Sequence, residues 1–171
     1  MKSSFVGREA ELQLLDRLWA RPEATLLILY GRRRVGKTRL LTYWLHQPGA
    51  GESGQDRARR VLYWVAEPSS ALDQLRSFSQ AVYNFANPQA PAPEDFTYAN
   101  WQQAWQQVAA LAQNERLALL IDEFTYLLEI APSIAGQLQN LWDQTLSRTK
   151  LFLVICGSHL GMMLRHTLSY Q

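Results

Sequence analysis

The chain has 171 residues, 47% hydrophobic and 19% charged, with 17 basic and 15 acidic side chains giving a net charge of +2. That content suits one domain of ordinary size with a sizeable core and excludes wholesale disorder, and the even charge gives no case for nucleic-acid binding by bulk electrostatics. A single cysteine excludes an internal disulfide, no apolar run reaches bilayer length and no signal peptide opens the chain, so a reducing cytoplasm is the expected location.

The chain opens with Phe5 to Leu12, which leads into a helix. Leu12, Leu15, Leu18 and Trp19 recur at three- and four-residue spacing, and Glu9 and Glu11 suit the positive end of a first turn. Thr25–Tyr30 is an apolar run fit for a buried parallel strand. It delivers the chain into Gly31-Arg32-Arg33-Arg34-Val35-Gly36-Lys37-Thr38, which reads G-x-x-x-x-G-K-T, the Walker A pattern. Helical spacing resumes from Arg39 to Leu45. Strand, loop and helix together are the setting in which this pattern cradles phosphate. Gly31 and Gly36 let the backbone curl into a nest of N–H groups, and the following helix aims its positive end at the anion. Lys37 supplies a mobile charge for the β and γ phosphates, and Thr38 offers a hydroxyl to Mg2+.

Pro48 closes that helix, and residues 49–60 read as a solvated loop. Arg57, Arg59 and Arg60 either meet phosphate there or lie on wet surface. Val61–Ala66 is a second strand, ended by Glu67 and Pro68. Ser70 reads as an N-cap with Asp73 as its partner, ahead of a stripe made by Leu72, Leu75, Phe78, Val82 and Phe85. Residues 87–97 form a proline-stiffened loop. Trp101, Trp105, Val108 and Leu111 share one helical face, read as core, while Gln102, Gln103, Gln106 and Gln107 face solvent or a partner.

Leu117 to Glu123 is an apolar run ending in two acids. The carboxyl end of a parallel strand is where an α/β sheet places its ligands. Asp122 therefore takes the Walker B role on the magnesium water shell, and Glu123 that of a general base for the attacking water. Phe124–Ile130 is a short helix. Ser133 caps the next, whose core face is Ile134, Leu138, Leu141, Trp142 and Leu146. Leu151–Cys156 is a fourth buried strand, its cysteine a buried thiol, and it ends in Gly157-Ser158-His159. Ser158, with His159 in reserve, reaches the γ-phosphate if this strand lies between those bearing Walker A and Walker B; otherwise the segment is a plain turn. A last helical segment begins at Gly161. The three histidines, His46, His159 and His166, are scattered and predict no zinc site.

The segments F-V-G-R-E-A-E-L, G-R-R-R-V-G-K-T, L-L-I-D-E-F and V-I-C-G-S occur in the order and rough spacing of the archaeal-type ATPases. These are prokaryotic AAA+-related P-loop proteins of the STAND class, which the chain resembles from Phe5 to about Met163, most specifically in the triple arginine. The resemblance implies an α/β three-layer sandwich with a mostly parallel sheet, the Ser158 strand lying between the Walker A and Walker B strands. It implies Ser158 as sensor 1 and Phe5, Val6, Gly7 and Arg8 near the adenine, adding to nucleotide contacts from Gly31 to Arg39. Family members continue into a fifth strand, a helical lid and a winged-helix or other domain. Residues 1–171 are therefore expected to be the ATP-binding core alone, with an unpaired edge at Thr25–Tyr30 covered by a second copy, a protein partner or the chain's own tail.

The expected ligands are ATP or ADP with Mg2+. The expected activity is slow ATP hydrolysis as a conformational switch, with Glu123, Lys37 and Ser158 as the catalytic residues and Thr38 and Asp122 on the metal. The alternative is a nucleic-acid-associated module, using Arg32 to Arg34, Arg57, Arg59 and Arg60, in which ATP is structural. A kinase using the same loop is a third reading, against which the paired acids argue.

Overall fold

The computed structural model describes residues 7–47 and 59–158. Phe5, Val6, Pro48, Arg57, His159 and the segment from Gly161 lie outside them, as does any cover of the sheet edge by residues 159–171. The elements run α1 (Glu9–Trp19), β1 (Thr25–Tyr30), α2 (Lys37–Leu45), β2 (Val61–Val65), α3 (Ala71–Ala86), α4 (Trp101–Leu111), β3 (Leu117–Asp122), α5 (Phe124–Ile130), α6 (Ile134–Gln144) and β4 (Leu151–Gly157). A 3-10 turn at Leu146–Arg148 precedes β4 and takes Leu146 out of α6, where the spacing had placed it.

The strand order is β1-β4-β3-β2, and each neighbouring pair is parallel. β4 therefore lies between the Walker A strand β1 and the Walker B strand β3, as the resemblance implies. β3 and β4 are buried along their whole length because helices cover both faces, which is why their sequences are apolar without alternation. β1 is an outer strand among the described residues, half-buried up to an exposed Tyr30.

Side chains still alternate between the two faces at period two. Leu117, Leu119 and Ile121 of β3 join Leu151, Leu153 and Ile155 of β4 in a core shared with α3, α4, α5 and α6. Ala118 and Leu120 join Phe152, Val154 and Cys156 in a second core, under α1 and α2. Phe78 and Trp105 centre the first core, 5.3 Å apart, and Trp44 and Phe152 meet edge-on at 5.7 Å in the second. The result is three layers, helix on sheet on helix.

Local capping follows the sequence at α3, where the Ser70 side chain accepts from the Asp73 backbone N–H at 3.1 Å. Ser133 departs from expectation. It occupies the N-cap of α6 with helical backbone angles, a geometry that turns its hydroxyl away from the cap bond, and the Gln137 amide donates to it instead. Leu72 also leaves the predicted stripe of α3. It sits in the first turn and is 56% exposed.

Arg59 is neither wet surface nor phosphate ligand. Its side chain is 2% exposed and pairs with Asp16 of α1 at 2.6 Å. It donates to the Trp44 and Gln47 carbonyls at the end of α2, at 2.7 and 2.8 Å, with its guanidinium 4.2 Å from the Trp44 ring centroid. Asp16 also accepts from the Trp44 indole at 2.8 Å. Burial lowers the Arg59 pKa, with the Asp16 charge pulling the other way. Arg59→Ala strips two helix-end carbonyls of a donor and leaves Asp16 without its cation. The expected loss is about 2–3 kcal/mol, read as a lower urea midpoint, because Asp16 keeps partial access to water. Arg60 is likewise committed to the protein, pairing with Glu115 at 3.2 Å and donating to the Leu111 carbonyl.

Candidate functional site

Parallel pairing puts every strand's carboxyl end on one side of the sheet. Ile121 is level with Ile155 and Leu29 with Cys156, so Asp122, Cys156 and Leu29 close the strands in nearly one row. The period-two alternation then decides which way the acid faces. Asp122 shares the parity of Ala118 and Leu120, the face covered by α2. Tyr63 of β2 and Cys156 of β4 belong to the same face.

Asp122 is buried, and donors surround it. The Thr38 hydroxyl, at the start of α2, donates to Oδ2 at 2.6 Å. The Tyr63 hydroxyl donates to the same oxygen at 3.0 Å, and the Glu123 backbone N–H donates to Oδ1 at 2.8 Å. The Cys156 thiol is a further donor to Asp122. Burial, then the neighbouring Asp122 charge, pushes both the Tyr63 hydroxyl and the Cys156 thiol well above their usual ranges, so both keep their protons and remain donors. Thr38 and Asp122, predicted as metal residues from motifs 84 positions apart, are thus in direct contact.

The loop from Gly31 to Gly36 is bent at three places. Gly31 has φ 150° and Gly36, the N-cap of α2, has φ 85°, where a side chain would be strained. The third bend is at Arg34, with φ 65°, a left-handed residue that the glycine pattern does not announce. Lys37 folds back on this loop, its ammonium donating to the Gly31 carbonyl at 2.7 Å and the Arg32 carbonyl at 2.9 Å. Arg8, placed near the adenine by resemblance, donates to the Val35 carbonyl and so ties the start of α1 to the phosphate loop. It also pairs with Glu11 at 3.5 Å, and Gly7 stands beside it with φ 86°.

Between loop and acids lies a cavity of about 820 Å3. Arg33, Arg34, Gly36, Lys37 and Thr38 line it from the loop side, and Glu123 and Tyr126 from α5. It continues along the outer face of α2 past Arg39, Thr42, Tyr43 and His46. Glu123 caps α5 in a left-handed conformation, φ 51°, and its Oε2 is buried with no hydrogen-bond partner among the described residues. A buried carboxylate oxygen left unsatisfied beside a cavity calls for a partner that the cavity supplies, a water or a ligand. Cations and Thr38 on the loop wall, Glu123 on the other, and Asp122 hydrogen-bonded to Thr38 fit a polyphosphate with a hydrated divalent ion. Ser158 follows β4 at the same edge, half-buried, while its reserve His159 lies outside the described residues.

Three contributors were not visible in the sequence. Tyr63 sits two residues before its strand ends, and only the pairing of β2 with β3 brings it to Asp122. Tyr126 lies one turn beyond Glu123, a spacing that could have nominated it. The hydrogen bond from Cys156 had its only signal in the thiol's place at a strand end. Conversely, of the arginines that the nucleic-acid alternative needed on the surface, Arg59 is turned into the protein, and Arg60, partly exposed, is paired with Glu115.

The family described as an ATPase domain predominantly from Archaea matches residues 5–171. An uncharacterized protein of Methanocaldococcus jannaschii is 30% identical over 167 residues, covering 98% of this chain and 32% of that protein. Among solved structures, a Walker-type ATPase of Pyrococcus abyssi is similar with a TM-score of 0.62 at 17% identity, covering 95% of this chain and 47% of that one. The ORC1 protein of Aeropyrum pernix in complex with DNA is similar with a TM-score of 0.62 at 18% identity, covering 95% and 41%. The chain thus spans about a third of that curated relative and less than half of these two structures. At these identities the structures establish the fold alone, an α/β core with a parallel sheet.

Proposed function

The chain belongs to the family of ATPase domains found predominantly in Archaea, and from that premise we propose that it binds ATP with Mg2+ at the carboxyl edge of its sheet, hydrolyses it slowly and acts as a conformational switch. One observation carries the reading: Thr38 of the phosphate loop and Asp122 of the acidic strand share a 2.6 Å hydrogen bond beside a cavity lined by Lys37 and Glu123.

Gly31 to Thr38 wrap the phosphates, with backbone N–H groups and the start of α2 as the anion-binding surface. Thr38 and Asp122 would hold hydrated Mg2+, which neutralises phosphate charge when bound. Lys37 exchanges its two carbonyl acceptors for phosphate oxygens, stronger partners because they are charged. Glu123 accepts a proton from the water whose oxygen forms the new bond to the γ-phosphorus. The bond from that phosphorus to the bridging oxygen breaks, and ADP leaves with the electron pair. Ser158 is a polar group at the strand end between the two motifs, suited to sense the γ-phosphate.

The switch follows from the same contacts. Releasing the Gly31 and Arg32 carbonyls from Lys37 loosens the loop that Arg8 joins to α1. Phosphate occupancy is thereby coupled to the position of the N-terminal helix. Calorimetric titration of the chain with Mg·ATP and Mg·ADP tests the reading. One site per chain, lost on chelating the metal for ATP more than for ADP, is the expected result. No heat and no competition with a fluorescent nucleotide would overturn it.

A further inference from the structure

We propose that Arg33 is a catalytic cation supplied from within the phosphate loop, an internal equivalent of the arginine that many nucleotidases borrow from a partner. The inference deepens the ATPase reading and rests on it.

The three loop arginines are not equivalent. Arg32 turns its carbonyl to Lys37, and Arg34 makes the left-handed bend. Arg33 is the one that reaches α5 among the described contacts. Its guanidinium donates to the Tyr126 hydroxyl at 3.2 Å and lies 6.0 Å from that ring's centroid. Tyr126 is in the same turn as Glu123, its backbone N–H donating to the Glu123 carbonyl at 3.0 Å.

The side chain therefore spans from the loop that carries Lys37 to the helix that carries the base. A terminal phosphate attacked by a water on Glu123 and held by Lys37 must lie in that span, and Arg33 lines the same cavity. Arg33 is exposed, so moving its guanidinium from a neutral phenol to a phosphate oxygen needs little desolvation and gains a charge-assisted pair. As the bond to the bridging oxygen breaks, negative charge moves onto that oxygen and the ADP β-phosphate. A fixed cation there stabilises the transition state more than bound ATP. Tyr126 gives the side chain a resting place outside that position, which keeps basal turnover slow.

The test measures the full chain against Arg33→Ala and Arg33→Lys. Both variants are expected to lose at least about 10-fold in kcat while Mg·ATP affinity stays within about threefold. Lysine fails as a substitute because its ammonium is a point charge without the planar fork. In the unmodified chain, aluminium fluoride should tighten Mg·ADP binding by mimicking the transferring phosphoryl group, and in both variants that tightening should disappear. Unchanged kcat in Arg33→Lys, or aluminium fluoride tightening retained in either variant, overturns the proposal. Failure of the unmodified chain to bind Mg·ATP removes the ATPase reading with it; a null result in the variants alone removes only Arg33.

Discussion

Lys37→Ala is expected to weaken Mg·ATP binding at least about 100-fold, or about 3 kcal/mol, with little change in fold stability. The ammonium folds back on the loop, and its two present acceptors are neutral backbone carbonyls. Exchanging neutral for charged acceptors is what gives nucleotide binding its favourable balance, so the deletion falls on the bound state. In the unbound state the loss is small, because water reaches the Arg32 carbonyl and replaces the missing donor. Equilibrium titration with a fluorescent ATP analogue, alongside a urea denaturation curve, separates the two effects. Equal affinity of the variant and the unmodified chain would remove Lys37 from the phosphate site. A parallel fall in the urea midpoint would instead make it a loop-stabilising residue.

Glu123→Gln should keep ATP binding and lose about 100-fold to 10,000-fold in single-turnover hydrolysis. Glutamine has the shape of glutamate and cannot take the proton from the attacking water. The left-handed backbone at Glu123 sharpens the prediction. A residue other than glycine costs about 1–2 kcal/mol in that conformation, so strain is retained where the base is needed. Glu123→Gly should therefore fold at least as stably as the parent while being as inactive as Glu123→Gln. A glycine variant that is both less stable and still active would show that the carboxylate serves the packing of α5 and not the reaction. Rapid-quench measurement of phosphate release with enzyme in excess reads the chemical step without interference from product release.

Much of the architecture was legible in the chain because its determinants are local. β1 matches the predicted Thr25–Tyr30 to the residue, since an apolar run ended by a glycine-bent loop sets its bounds, but as the outer strand it is half-buried rather than the buried strand expected. The cap at Ser70 rests on a side chain and a backbone N–H three residues apart, close enough for sequence to specify. The outlying cases needed information from other elements. Leu72 fits the helical period, but it is exposed while Gln74 of the same turn is buried. Arg59 lies in a run of charge that reads as solvent-exposed, yet α1 presents Asp16 and the end of α2 presents two carbonyls to it.

By itself, then, the sequence determined the parts: a loop able to hold phosphate, a strand ending in two acids, and the helices and strands that carry them. Backbone period, glycine geometry and apolar runs are properties of a few consecutive residues. The tertiary structure alone decided their assembly. Parallel pairing in the order β1-β4-β3-β2 lined up the strand ends, and the parity of Asp122 turned it toward α2, Thr38 and Tyr63 rather than into the opposite core. The reach of Arg33 to Tyr126 came from the same assembly. The hydrogen bonds of Tyr63, Thr38 and Arg33 join residues 59, 84 and 93 positions apart, and their distances are set by how whole layers stack, which no local pattern encodes.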